Sequence, residues 1–333
     1  MRAGVSPTTV SYVLNDSGRL RPETRQRVRD AIAALHFTPN AQVRSLRERR
    51  TSTIGLLCWR FGEEPEQYIN GRLLHGIQDV LWGSSYDLLL YSHRDGRWAG
   101  GEANDFLDNR VDGLIWSPVP HAMGTLEHIA SAGLPTVALF HDAPPGIGSV
   151  RVDNEGGGYQ ATEHLIRLGH RRIGFMGAIH LPDFQERRRG YLRALSYHGV
   201  PADPRLVFLG KDADHVDHIS VARSLRQNRA TGVICTTDEH ALLLIQGAAT
   251  LGIRIPEHLA VVGFDNAEAA RASVPPLTTV SLPGVQVGRR AAFQLLSLLE
   301  GRASTPWCES LPVNLVVRGS TLRRDQQLRD PWF

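Results

Sequence analysis

The 333 residues are enough for about two domains, and a hydrophobic fraction of 42% allows sizeable cores. The net charge of +3 hides an asymmetry: residues 1–50 hold ten arginines against four acids while the remainder sums to −3, a basic head on a mildly acidic body of the kind that binds nucleic acid. Cys58, Cys235 and Cys308 lie far apart without Cys-x-x-Cys spacing, which excludes a disulfide scaffold or a cysteine zinc site, fits a reducing cytoplasm, and joins the absence of a signal peptide and of any apolar run of ~18 residues in arguing against export or membrane spanning.

The first element opens at Gly4, a residue free to take the positive φ of a tight turn. Ser6 occupies the N-cap position and Pro7 the first helical position, where its missing N–H costs nothing. Val10, Val13 and Leu14 form an apolar face. Thr8, Thr9, Ser11, Tyr12 and Asn15 lie off that face, with side chains suited to base edges and phosphates. By pattern alone the segment serves equally as an ordinary capped helix. A second helix opens at Arg21-Pro22-Glu23-Thr24 with a stripe of Val28, Ala31, Ile32 and Leu35, and Thr38-Pro39-Asn40 is expected to end it. A third helical stretch covers 41–47, followed by Arg49-Arg50-Thr51.

Beyond residue 53, β-rich runs alternate with helical ones. Strands are expected at 54–58, 88–91, 113–116, 136–140, 149–152, 172–176, 206–209, 232–235, 260–263 and 278–281, and the clearest helices at 157–168, 186–198, 240–251 and 286–299. Such alternation implies parallel sheets with right-handed crossovers, here an α/β chain of two doubly wound lobes.

The segments GVSPTTVSYVLN (4–15), TRQRVRDAIAALHFTPN (24–40) and VRSLRERRTSTIGLL (43–57) resemble the DNA-binding head and hinge of LacI/GalR-family transcriptional regulators. The resemblance continues to about Thr321 through RVDGLI (110–115), HLIRLGHRRI (164–173), ERRRGY (186–191), LAVVGFD (259–265) and PPLTTV (275–280). It implies a helix-turn-helix head at 1–38 and a hinge helix and linker at 39–50. A two-lobed domain of the periplasmic-binding-protein type follows at 51–323, then a polar tail at 324–333. It places Ser6, Thr8, Thr9, Ser11, Tyr12 and Asn15 at the DNA, together with Asn40, Arg44 and Leu46 of the hinge, whose leucine wedges into the minor groove. Tyr12 stands where many members carry arginine and Val43 where alanine is common. Only Met1, Arg2 and Ala3 precede the turn, so the first helix of the head is expected to be missing from this chain. The resemblance assigns 51–150 and 283–308 to the first lobe and 151–280 plus a last strand at 311–317 to the second, with three crossings between them. The C-terminal stretch has no leucine heptad, so no tetramerising coiled coil is expected.

Ligands of open α/β lobes bind at the carboxyl ends of strands. Asp265 stands there, able to accept two ligand hydroxyls, and Arg187 offers a bidentate fork. The family places its principal effector contacts at these two positions. Thr237 replaces an asparagine that contacts the effector in many members. Tyr68, with Trp59 and Phe61, follows the first strand and offers aromatic faces for a sugar or a purine, or simply loop packing. Arg151, at the first crossing, suits an anionic ligand. Gly156-Gly157-Gly158 lacks a phosphate-loop lysine and reads as a helix start; His215 and His218, among Asp212, Asp214 and Asp217, read as a solvated turn rather than a metal site.

No hydrolase or metalloprotease motif is present, so neither enzymatic activity nor a cofactor nor a metal is expected. The reading is a cytoplasmic, homodimeric, sequence-specific DNA-binding repressor of a pseudo-palindromic operator, controlled by a small molecule, most simply a sugar, with no membrane partner. A stand-alone solute-binding sensor that has lost DNA binding is the alternative.

Overall fold

The computed structural model describes residues 3–14, 16–37, 50–57, 67–91, 103–117, 123–178, 182–210, 217–304 and 307–322, and the chain divides into two units, Met1–Thr51 and Ser52–Phe333.

In the first unit, α1 spans Pro7–Leu14 and α2 spans Pro22–Ala34. Gly4 takes φ 60°, as the turn requires, and Ser6 Oγ accepts from the Thr9 amide at 3.2 Å. Val13 of α1 and Val28 of α2 are the buried residues of the pair. The turn between the helices is tied to α2 by Arg25, which pairs with Asp16 and donates to the Gly18 carbonyl at 3.4 Å. The end of α2 departs from the expectation. It stops at Ala34, because His36 turns left-handed at φ 46° and the Phe37 amide closes back on the Ile32 carbonyl at 3.1 Å. The proline at 39 is not what ends it, and Leu35 is 53% exposed rather than part of a buried stripe.

The second unit holds two six-stranded sheets. The first has the order β11-β5-β4-β3-β1-β2, all parallel. Its strands are β1 Thr53–Leu57, β2 Asp87–Tyr91, β3 Gly113–Trp116, β4 Thr136–Leu139, β5 Gly148–Val152 and β11 Cys308–Leu311. The second has the order β12-β10-β9-β8-β6-β7, with β6 Ile173–Ala178, β7 Val207–Gly210, β8 Gly232–Cys235, β9 Ala260–Asp265, β10 Thr278–Ser281 and an antiparallel edge, β12 Asn314–Val316. Strands β1, β3, β4 and β8 are almost wholly buried, as befits strands covered by helices on both faces.

The helices are α3 Gln67–Leu81, α4 Met123–Ser131, α5 Asn154–Arg167, α6 Pro182–Tyr197, α7 His218–Gln227, α8 Asp238–Thr250, α9 Glu268–Ala272 and α10 Gly284–Leu299. The fold class expected from the alternation is the fold observed. Two boundaries are corrected. Arg151 lies on β5, in register with Ser310 of β11, so it belongs to the first lobe and the chain crosses after Val152. The expected last strand narrows to β12, Asn314–Val316, in the second sheet, and residues 308–311 form a further strand, β11, at the edge of the first sheet. Pro312, with no N–H to give a ladder, separates them, and the chain crosses there.

Helices α5 and α6 pack backbone to backbone. A Cβ on Gly158 would overlap the Arg187 carbonyl oxygen, and one on Gly190 would overlap the Glu155 carbonyl oxygen. The Gly156–Gly158 run therefore lies within the first turns of α5, where Asp153 caps the Gly156 amide at 2.8 Å, and it brings α6 close.

Candidate functional site

The centre of the site is the Arg187 guanidinium. Helix α6 carries Arg187 inward, where it is only 4% exposed. A charge that deep needs partners on every side. Its Nε donates to Asn154 Oδ1 at 2.9 Å, Nη1 donates to the Thr236 carbonyl, and Nη2 reaches Asp183 Oδ2 at 3.4 Å. Its plane lies over the Phe264 ring at 3.8 Å and near Phe184 at 5.1 Å. Three elements, α5, the β8–α8 turn and β9, thus hold one side chain, and Asp265 Oδ1 stands 4.0 Å from Nη1.

Asp265 closes β9 with φ at 119°, and Asn266 follows at 59°. Neither is glycine, so the turn stores strain that its surroundings must hold, a feature concentrated at ligand sites. The Asp265 carboxylate is one-quarter exposed and faces the first amide of α8 (Asp238 N to Oδ2, 3.5 Å). Burial, reinforced by the neighbouring Asp238, pushes its carboxyl well above the usual range, and Arg187 opposes that. With contacts this long, Asp183 and Asp265 retain acceptor capacity for the hydroxyls of a polyol.

Arg151 is engaged otherwise than expected. It pairs with Asp142 and, at 2.6 Å, with Glu186 of α6, so it joins the two lobes; its donors are committed to carboxylates, not held open for an anion. Asn154 Nδ2 donates to the same Glu186 at 3.3 Å. His141, beside Asp142, is held below its ordinary pKa by burial, partly offset by its hydrogen bond to the Asp142 carbonyl and by Asp183 and Asp142. Thr237 caps α8, accepting from the His240 amide at 3.2 Å, which occupies a lone pair of the hydroxyl expected to meet a ligand. Tyr68 lies in α3, but its side chain is outside the described residues, as are Trp59 and Phe61. His215 is outside them too, and His218 turns instead to His240, Nε2 to Nδ1 at 3.1 Å.

The sequence singles out Arg187 and Asp265, which the fold brings to within 4.0 Å, but not Asp183, Asn154, Thr236 and Phe264, which surround Arg187. Asp183 was findable as the i,i+4 neighbour of Arg187 on one helix face. Asn154 and Thr236 come from distant segments, and no spacing announces them. A separate depression of about 410 Å³, lined by Arg226, Arg229 and His258 among others, lies at the opposite ends of the second sheet's strands. Arg226 there donates to the Leu251 carbonyl at 2.9 Å, serving a helix C-terminus.

In the head, Thr8 is exposed and Tyr12 is 43% exposed, with its ring against Gly18. Ser6 and Thr9 share a hydroxyl contact of 3.0 Å at the helix start, and Ser11 is half-buried. Asn15, Asn40, Arg44 and Leu46 lie outside the described residues. No helix among the described residues is long and apolar enough to cross a membrane.

Residues 1–40 match the bacterial regulatory proteins of the lacI family, and residues 162–321 match a periplasmic binding protein-like domain. The chain is 30% identical over 326 residues to the HTH-type transcriptional regulator DegA of Bacillus subtilis (strain 168), covering 96% of this chain and 95% of that protein. Among solved structures it is similar to the transcriptional regulator CelR in complex with cellobiose, at 30% identity and TM-score 0.71, covering 96% of this chain and 97% of that one. The lac repressor dimer bound to operator and the anti-inducer ONPF shares the fold at TM-score 0.82 and 24% identity, covering 97% of each chain.

Proposed function

This chain belongs to the lacI family of bacterial regulatory proteins and is a DNA-binding transcriptional regulator, and we propose that it is a cytoplasmic homodimeric repressor whose hold on a pseudo-palindromic operator is set by a sugar bound between its lobes. The observation that carries the ligand reading is the buried Arg187 beside the strained turn of Asp265, with Asp183 completing a donor-and-acceptor set of the kind that orients a polyol. CelR, similar over nearly the whole chain, is solved with cellobiose. The site binds its ligand and leaves it unchanged.

In this reading 1–38 is the head, 39–50 the hinge, 51–323 the sensor and 324–333 a tail. Thr8, Thr9, Ser11, Tyr12 and Asn15, with Ser6 at the helix start, face the major groove; Asn40, Arg44 and Leu46 serve the minor groove at the operator centre. Arg187 and Asp265 grip the ligand, and Tyr68 and Thr237 border it. Arg151 contributes through the lobes rather than by meeting an anion. Ligand-driven closure alters the spacing of the two heads, with a coupling of ~1–3 kcal/mol between the sites.

The test is selection of operator sequences from a random duplex pool with the full chain, followed by titration with D-glucose, D-ribose and cellobiose. A two-fold-related consensus whose affinity one of the sugars changes supports the proposal. Binding that depends on salt but not on sequence would overturn it, because counterion release alone gives that behaviour.

A further inference from the structure

Asp238 is 1% exposed and sits at the first position of α8, where its amide faces the Asp265 carboxylate at 3.5 Å. Its carboxylate is aimed at the turn that follows β9. Oδ2 accepts from the Ala267 amide at 2.7 Å, and Oδ1 accepts from Thr279 Oγ1 at 2.5 Å. Thr279 Oγ1 in turn accepts from the Asn266 amide at 3.2 Å. The Asn266 side chain is held as well: Oδ1 accepts from Arg318 at 2.6 Å and Nδ2 donates to Ser281 Oγ at 3.1 Å. Asn266, the second of the two left-handed residues, and Ala267 after it are thus pinned from one buried carboxylate and the hydroxyl bound to it. The sequence makes room for that carboxylate, since a Cβ on Gly263 would overlap Asp238 Oδ1.

We propose that Asp238 is a positioning residue of the ligand site: it holds the left-handed turn that presents the Asp265 carboxylate to the cleft, without itself meeting the ligand. The proposal rests on Asp265 being a ligand contact, as argued above. A left-handed non-glycine pair relaxes unless its surroundings over-determine it, and Asp238 supplies the two anchors that do so. The device is sensitive to protonation. The ionised carboxylate accepts from Ala267 and Thr279 together; a protonated carboxyl gives up part of that capacity. Burial pushes the Asp238 pKa up to about 7, with Thr279, the Ala267 amide and Arg318 pulling the other way. Among the described residues the charged or titratable groups around it are Asp265 on β9, Arg318 after β12 and the buried thiol of Cys235 on β8.

The test uses the full chain and hydrogen–deuterium exchange, with the turn peptide around 264–269 as the reporter and strand β6 as the internal control. Asp238→Asn keeps the shape and loses the charge. It is expected to speed exchange at the turn by ~10-fold or more, the scale of one charge-assisted hydrogen bond, while β6 is unchanged. Wild-type protection, corrected for intrinsic exchange, should step through the neutral range, and the variant should show no step. Thr279→Val, nearly isosteric, gives the same direction with a smaller change and serves if Asp238→Asn does not fold. In parallel, any of D-glucose, D-ribose or cellobiose that raises the wild-type melting temperature should bind Asp238→Asn ~10-fold more weakly. Equal turn exchange and equal pH profiles in wild type and variants would overturn the proposal. If none of the three sugars binds the wild type, the sugar reading fails for these probes, and the exchange data still decide the role of Asp238.

Discussion

Arg151 Nη2 donates to Glu186 Oε1 at 2.6 Å, and this ion pair joins β5 of the first lobe to α6 of the second, one residue before the buried Arg187. Both side chains keep some water contact, 24% and 14% exposed, so the pair is worth roughly 1 kcal/mol rather than the several of a fully buried one. Loss of the pair should loosen lobe closure. Arg151→Ala and Glu186→Gln are expected to raise the radius of gyration in X-ray scattering and to weaken sugar binding roughly 5-fold, from that ~1 kcal/mol. An unchanged radius and affinity in both variants would show that the tether is idle.

Gly158→Ala places a methyl on the Arg187 carbonyl oxygen, where backbone meets backbone and no flexible side chain can yield. Overpacking of this kind costs ~1–3 kcal/mol or more. The denaturant midpoint should fall, and because α6 carries Arg187 the ligand affinity should fall with it. A variant as stable as wild type would mean that α5 and α6 can separate freely.

The folded-state pKa values of Asp238 and Asp265 lie above those of the unfolded chain. For Asp238, between about pH 4 and 7 the native state therefore keeps a proton that the unfolded state has released, and this contribution to stability is lost as pH rises through the folded pKa. His164, lowered to about 4 by burial and by His170, works in the opposite direction between about pH 4 and 6.5. The difference in melting temperature between wild type and Asp238→Asn separates the two. It should change with pH across 5–8 in favour of the variant at the alkaline end; a pH-independent difference would contradict the raised pKa. Ligand hydroxyls donated to ionised Asp265 should also make sugar affinity rise as the pH passes upward through the raised pKa of that carboxyl.

Ser6→Ala removes the acceptor that satisfies the Thr9 amide. Loss of an N-cap costs ~1 kcal/mol, a large share of what a small head can spare. Faster exchange across Pro7–Leu14 and weaker operator binding are expected, with the second unit's melting unaffected. Unchanged exchange in that helix would show the cap to be dispensable.

What was legible in the sequence shares one property: it is local. Ser6 and Pro7 mark the start of α1 because capping involves residues three apart, and the apolar runs mark strands because burial on two faces leaves no polar side. Arg187 and Asp265 were visible through matching family segments. The end of α2 was not, since a left-handed His36 is chosen by the closing hydrogen bond of Phe37 to Ile32 and no residue type demands it there. Strand β11 at 308–311 was missed, because its partner, β5, lies about 160 residues earlier in the first sheet and no local pattern announces it.

The sequence by itself thus determined two α/β lobes and a capped helix in a basic head, and it singled out the arginine and aspartate of the candidate ligand site. Only the tertiary structure decided what those groups do. It spent Arg151 on Glu186, Thr237 on the cap of α8, and Asp238 on the turn beneath Asp265. The physical reason is that a buried charge or hydroxyl must find partners wherever the fold supplies them, and those partners lie up to tens of residues away along the chain.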